Sequence, residues 1–131
     1  MRWLLDTSVC IPLINRTDES TAERLLEHAP GSVFLCSVVK AELHFGARNS
    51  GRVGENLERV VRFCRAFESL SFDDEAAGHY GVVRAQLRRE GRPIGANDLM
   101  IASIALVGEL TLVTRNLDEF ARVPGLQVER W

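Results

Sequence analysis

The sequence is nearly devoid of lysine: of 16 basic residues in 131, Lys40 alone is not arginine. Genomic base composition is the simplest single cause, although the planar arginine fork also suits phosphate and carboxylate partners. The formal net charge of -2 provides no global attraction to nucleic acid. Long apolar runs are missing too. The longest candidate, Leu99 to Val113, contains Ser103 and is broken by Glu109, short of the ~20 residues of a membrane span. The opening Met1-Arg2-Trp3-Leu4-Leu5 reaches Asp6 too early for the apolar region of a signal peptide. Cysteine is sparse. Cys10, Cys36 and Cys64 form no CxxC pair, which argues against a zinc site or disulfide framework and for free buried thiols in a reducing cytoplasm. There is no P-loop, no GxGxxG and no GxSxG elbow. His28, His44 and His79 have no ligand-spaced partners.

What is present is the composition of one soluble domain spanning residues 1–131, with 46% hydrophobic and 26% charged residues. Trp3-Leu4-Leu5 reads as a short buried strand, with Asp6-Thr7-Ser8 opening a helix. A second helix starts at Asp18 and turns Ala22, Leu25, Leu26 and Ala29 to one face. Val33 to Cys36 is the second strand. Ser37 caps a helix to about Arg48, and Val53 to Phe67 is an amphipathic helix. Leu70 to Phe72 reads as the third strand, and Asp73 opens a helix ending near Gly91. Asn97-Asp98 begins a helix to Gly108 that is apolar almost all round. Leu112 to Thr114, a short helix at Leu117 to Phe120, and a strand at Leu126 to Glu129 complete the chain. Strands alternating with helices predict a three-layer α/β/α sandwich with a central parallel sheet. Ligands of such sheets bind beyond the carboxyl ends of the strands.

Several acids fall at those ends. Asp6 follows strand one, either as a helix cap or as a functional group. Winding the third helix places Lys40, His44, Ala47 and Arg48 in one sector. Val38, Val39, Ala41, Leu43 and Phe45 spread over the other, with Glu42 among them. A carboxylate there needs a salt-bridge partner or a metal. Asp98 opens the most apolar helix, where capping competes with function. Asn116, Asp118 and Glu119 follow the late strand, and at least one should face the same rim. Converging carboxylates repel one another unless a cation joins them. Magnesium or manganese is the usual resolution, and the reaction class is metal-assisted phosphodiester hydrolysis.

The segments Leu4-Leu5-Asp6-Thr7-Ser8, Ala41-Glu42-Leu43, Asn97-Asp98-Leu99-Met100-Ile101-Ala102 and Leu112-Val113-Thr114-Arg115-Asn116 resemble, in that order and spacing, the PIN-domain ribonucleases. More closely, the whole chain resembles the VapC toxins of bacterial toxin–antitoxin pairs. Its ending from Asn116 to Trp131 is similar to the branch that cuts tRNA in the anticodon stem-loop. The resemblance implies a PIN-like fold, a homodimer, a VapB-type antitoxin partner and a carboxylate site for magnesium or manganese. It matches Asp6, Glu42 and Asp98 to the central acids, with Asp6 and Asp98 as metal ligands. The fourth position falls on Glu119 or on Asn116. Thr7, Ser8 and Thr114 match polar residues lining the site, and Arg115 is a candidate phosphate contact with Asn116 beside it. Two rival readings remain at this level: a non-catalytic PIN-like interaction module, and the same nuclease acting on messenger or ribosomal RNA.

Overall fold

The computed structural model describes residues 1–131. Five short strands form one parallel sheet: β1 (Trp3–Leu5), β2 (Val33–Cys36), β3 (Glu68–Leu70), β4 (Thr111–Val113) and β5 (Val128–Glu129), in the spatial order β3-β2-β1-β4-β5. The connections hold seven helices: α1 (Thr7–Asn15), α2 (Glu19–Leu26), α3 (Ser37–Arg48), α4 (Val53–Cys64), α5 (Asp74–Arg89), α6 (Ala96–Gly108) and α7 (Leu117–Phe120). The chain moves outward from β1 to β2 and β3, then crosses back to β4 and β5. Right-handed crossovers therefore put α1 to α4 on one face and α5 and α6 on the other. That is the expected three-layer sandwich. The order reverses between β1 and β4, so the residues after these two strands flank the switch point, where ligands of open parallel sheets bind.

One cluster of 27 buried hydrophobic residues fills the interior. β1, β2 and β4 are buried along most of their length, and α6 buries Leu99 and the whole run Ile101 to Ala105. Ser103 is tolerated there because its hydroxyl donates to the Leu99 carbonyl at 2.7 Å. All three cysteines are free and buried. Burial is the main cause that raises their thiol pKa values, to about 11 for Cys36.

At the β5 edge, His28 lies between the chain's two tryptophans, 4.0 Å from the Trp3 ring and 4.6 Å from the Trp131 ring. Both indoles donate to the Glu129 carboxylate, Trp3 at 3.2 Å and Trp131 at 2.9 Å, and Arg24 donates to it at 2.8 Å.

Several sequence expectations shift. The third strand lies two residues earlier than expected. Glu68 to Leu70 pair with Phe34 to Cys36, while the Phe72 N–H donates to Ser37 Oγ. Ser37 is thus the first residue of α3 rather than its cap. The last strand contracts to Val128–Glu129, because Leu126 is still turning, its N–H bonded to the Val123 carbonyl. Leu26 points outward, 82% exposed, and Thr21 takes the buried place on α2. On α3 the buried stripe is Val39, Leu43 and Ala47, one helical turn apart, so Phe45 faces solvent at 69% exposure.

Candidate active site

Asp6 ends β1 and is 2% exposed. It occupies the N-cap position of α1 but caps nothing with its side chain. Instead, two hydroxyls converge on its Oδ2: Ser8 donates at 2.8 Å and Thr114 at 2.7 Å. Each hydroxyl is oriented from behind. The Arg115 N–H donates to Ser8 Oγ at 3.0 Å, and the Asn116 N–H donates to Thr114 Oγ1 at 3.0 Å. The strand end of β4 therefore fixes the strand end of β1 through two polar side chains. Both hydroxyls fall on Oδ2, and its Oδ1 takes no hydrogen bond from the protein.

Glu42 is half-buried on α3. Its partner is no arginine: Thr7 Oγ1 donates to its Oε1 at 2.6 Å. Asp98 is the third residue of α6, and Gly95 rather than Asp98 occupies the N-cap position. Its carboxyl is pushed up to about 7, first by burial, then by the charge of Glu119, with Asp6, a hydrogen bond to Glu119 and Glu42 adding to the shift. Glu119, from α7, is held in turn by the Gly95 N–H at 3.2 Å. The structure thus gathers Asp6, Glu42, Asp98 and Glu119 on one rim. None of the four enters an ion pair. An open groove of about 770 Å³ runs past Thr7, Glu42 and Asn97, walled by Val38, Ala41, Phe45 and Met100.

Other candidates sit differently. The Arg115 guanidinium pairs with Asp18, which caps α2 and also accepts from Ser20 Oγ at 2.6 Å. The Ser20 hydroxyl leads the causes that lower the Asp18 carboxyl to about 2. Arg115 therefore reaches the site through its backbone, not as a free cation. The Asn116 side chain is exposed and contributes only its backbone N–H, as does the sequence-silent Gly95. Asp118 is exposed. Gly95 went unpredicted because its role lies in a main-chain donor. One signal was available: glycine stands at a cap position where Ser, Thr, Asp or Asn would give more helix stability.

The acids remain spread out: no three His, Cys, Asp or Glu side chains close into a ready-made metal cage. The donor set is nonetheless all oxygen, with a buried aspartate and no cationic side chain paired to the acids. That chemistry fits a hard divalent ion that retains several waters.

Residues 3–126 match the PIN domain. The chain is 36% identical over 132 residues to ribonuclease VapC2 of Rickettsia felis, covering 100% of this chain and 98% of the relative. The chain belongs to the VapC ribonucleases of the PIN-domain family. It is also 39% identical over 131 residues to the tRNA(fMet)-specific endonuclease VapC of Shigella flexneri, with coverages of 100% and 98%. Among solved structures, the DNA-bound VapBC of Salmonella typhimurium matches with a TM-score of 0.95 at 38% identity, covering 100% of this chain and 98% of that one. VapBC2 of Rickettsia felis, bound to a promoter DNA fragment, gives 0.94 at 35% identity, with coverages of 100% and 99%. The rim described above thus lies on a PIN domain matched along its whole length. No helix is long and apolar enough to cross a membrane.

Proposed function

We propose that this chain, as a single PIN-like domain over residues 1–131, is the endoribonuclease toxin of a type II toxin–antitoxin pair. It hydrolyses RNA phosphodiester bonds in the cytoplasm with magnesium or manganese, its substrate a tRNA anticodon stem-loop. The observation that carries this reading is the rim of four acids with no cationic partner. The full-length likeness to a tRNA(fMet)-specific endonuclease supports the substrate class.

In this mechanism Asp6 and Asp98 would hold the ion, with Glu42 and Glu119 ordering its waters. When bound, such an ion acidifies water and neutralises charge building on the phosphoryl group. Ser8 and Thr114 orient Asp6 through its Oδ2, which leaves Oδ1 free of protein donors. Thr7 orients Glu42. The Gly95 N–H holds Glu119 beside Asp98. The chain would act as a homodimer, as the resemblance to VapC toxins implies. A VapB-type antitoxin would silence the site by placing an arginine or lysine among the carboxylates. The likeness to VapBC complexes supports that partner.

Purified protein incubated with total RNA is expected to give discrete cuts with magnesium or manganese and none with EDTA, and mapping the ends should place them in an anticodon stem-loop. Undiminished cutting in EDTA by a nuclease-free preparation would refute the metal mechanism. Cuts confined to messenger or ribosomal RNA would refute the substrate. Expression alone should arrest growth, and a co-expressed cognate antitoxin should relieve the arrest.

A further inference from the structure

An acidic rim repels a polyanion until it lies close to the metal, so approach needs positive charge beside the acids. α5 packs along α6, and the two helices are joined by the short loop 90–95, so they run antiparallel. Because α6 begins at the rim, α5 must end there. Its charges are segregated to match. Asp74 and Glu75 occupy its first turn, at the end opposite the loop, and Arg88 and Arg89 its last, with Glu90 at the cap. Arg92 follows just beyond. All three arginines are exposed, and none has an acidic partner. On α4, Arg62 is paired with Glu58 and Arg52 just before it with Glu55, while Arg59 donates to the Ile14 carbonyl and Arg65 has no acidic partner.

A favourable interaction with the helix dipole would explain Arg88 and Arg89, but not Arg92, which lies past the helix end. Arg92 is held in a built turn. Gly91, at φ +68°, donates to the Arg88 carbonyl at 3.1 Å, and the Arg92 N–H donates to the Leu87 carbonyl at 2.9 Å, the paired bonds of a Schellman motif. Pro93 then fixes the next φ, and Arg122 donates to its carbonyl at 3.0 Å. Two residues on, the Gly95 N–H holds Glu119. Arg92 is thus presented on a rigid turn within ~11 Å of chain from the acid pair.

We propose that this turn is an RNA-backbone clamp: Arg88, Arg89 and Arg92 bind phosphates flanking the one attacked at the rim. The proposal rests on the ribonuclease reading above, and the experiment separates the two. Cleavage of a labelled tRNA anticodon stem-loop in magnesium, and its binding in EDTA, are measured across a salt series. Arg88→Gln/Arg89→Gln/Arg92→Gln is compared with wild type and with Arg65→Gln, which lies just before β3 and so toward the amino ends of the strands, away from the rim. KM should rise and kcat stay unchanged for the triple variant. Its log–log salt slope should flatten by roughly 0.7 for each lost contact on single-stranded RNA, or about 2 for all three. Arg92→Gln, outside any helix, should give about a third of that change and decides the matter should the triple variant not fold. Arg65→Gln should match wild type. Slopes and KM equal to wild type in the Arg88, Arg89 and Arg92 variants, or a loss of kcat alone, would overturn the clamp. A wild type that binds RNA but does not cut it sinks the ribonuclease reading, while the binding slopes still decide the clamp. One that does neither sinks both.

Discussion

Two carboxylate centres sit at different places on the same sheet, and their surroundings are opposite. Glu129, at the β5 edge, has three protein donors for one acid: two indoles and a guanidinium. At the rim, four acids share two threonines, a serine and one backbone N–H, with no cation among them. The Glu129 centre is electrostatically complete, and its role is to fasten β5 and the final tryptophan to α2. The rim is incomplete. Asp98, held protonated to about pH 7, shows how the protein alone relieves the excess charge. Only a ligand that brings positive charge completes it.

The sharpest way to break this contrast is at Asp6. Asp6→Asn should abolish RNA cleavage and leave the circular dichroism spectrum unchanged, since asparagine can still accept from both hydroxyls. Next in size is Thr114→Val, which removes one of the two donors to Asp6. An outer-shell partner of this kind should contribute about 10–100-fold in metal affinity or activity, checked by magnesium titration of the cleavage rate.

How much of this was legible in the sequence depended on what each residue contributes. Asp6 and Asp98 stood out because acids at strand and helix ends beside greasy segments are conspicuous. Glu42 stood out against an apolar helix, although its surroundings were misread. The helix buries only the narrow Val39–Leu43–Ala47 stripe and turns Phe45 to the groove. Pairing of Arg115 with Asp18 joins positions 97 residues apart, which no local pattern encodes. β3 was misplaced because Glu68 and Ser69, exposed on an edge strand, carry no hydrophobic alternation.

A prediction for the other centre follows. Glu129→Ala strips the acceptor from three donors and should lower stability by about 1–3 kcal/mol, read from denaturant melts, without changing cleavage per folded molecule. A comparable loss of activity would show that the two centres are coupled.

Removing a charge from the rim should do the reverse. In EDTA at neutral pH, Asp98→Asn should melt higher than wild type, by about 1 kcal/mol once solvent screening is allowed for. Magnesium should raise wild type by mass action and the variant much less. The pH dependence carries the same sign. The folded carboxyl, at about 7, lies above its unfolded value near ~3.9. Its contribution is therefore full below about pH 4, lost progressively as pH rises to about 7, and flat beyond. Metal-free wild type should lose stability across that window, and Asp98→Asn should lose less. A destabilised variant in EDTA would instead make Asp98 a structural residue.

The stack of Trp3, His28 and Trp131 gathers every indole of this chain at one edge of the sheet. Intrinsic tryptophan emission is therefore a local optical gauge. It reports the docking of β5 and α2 against β1, and it is dark to α3 and α5. Differences between an emission-monitored transition and one followed by helical circular dichroism would time the release of the chain's final strand separately from the melting of the helices around the acids.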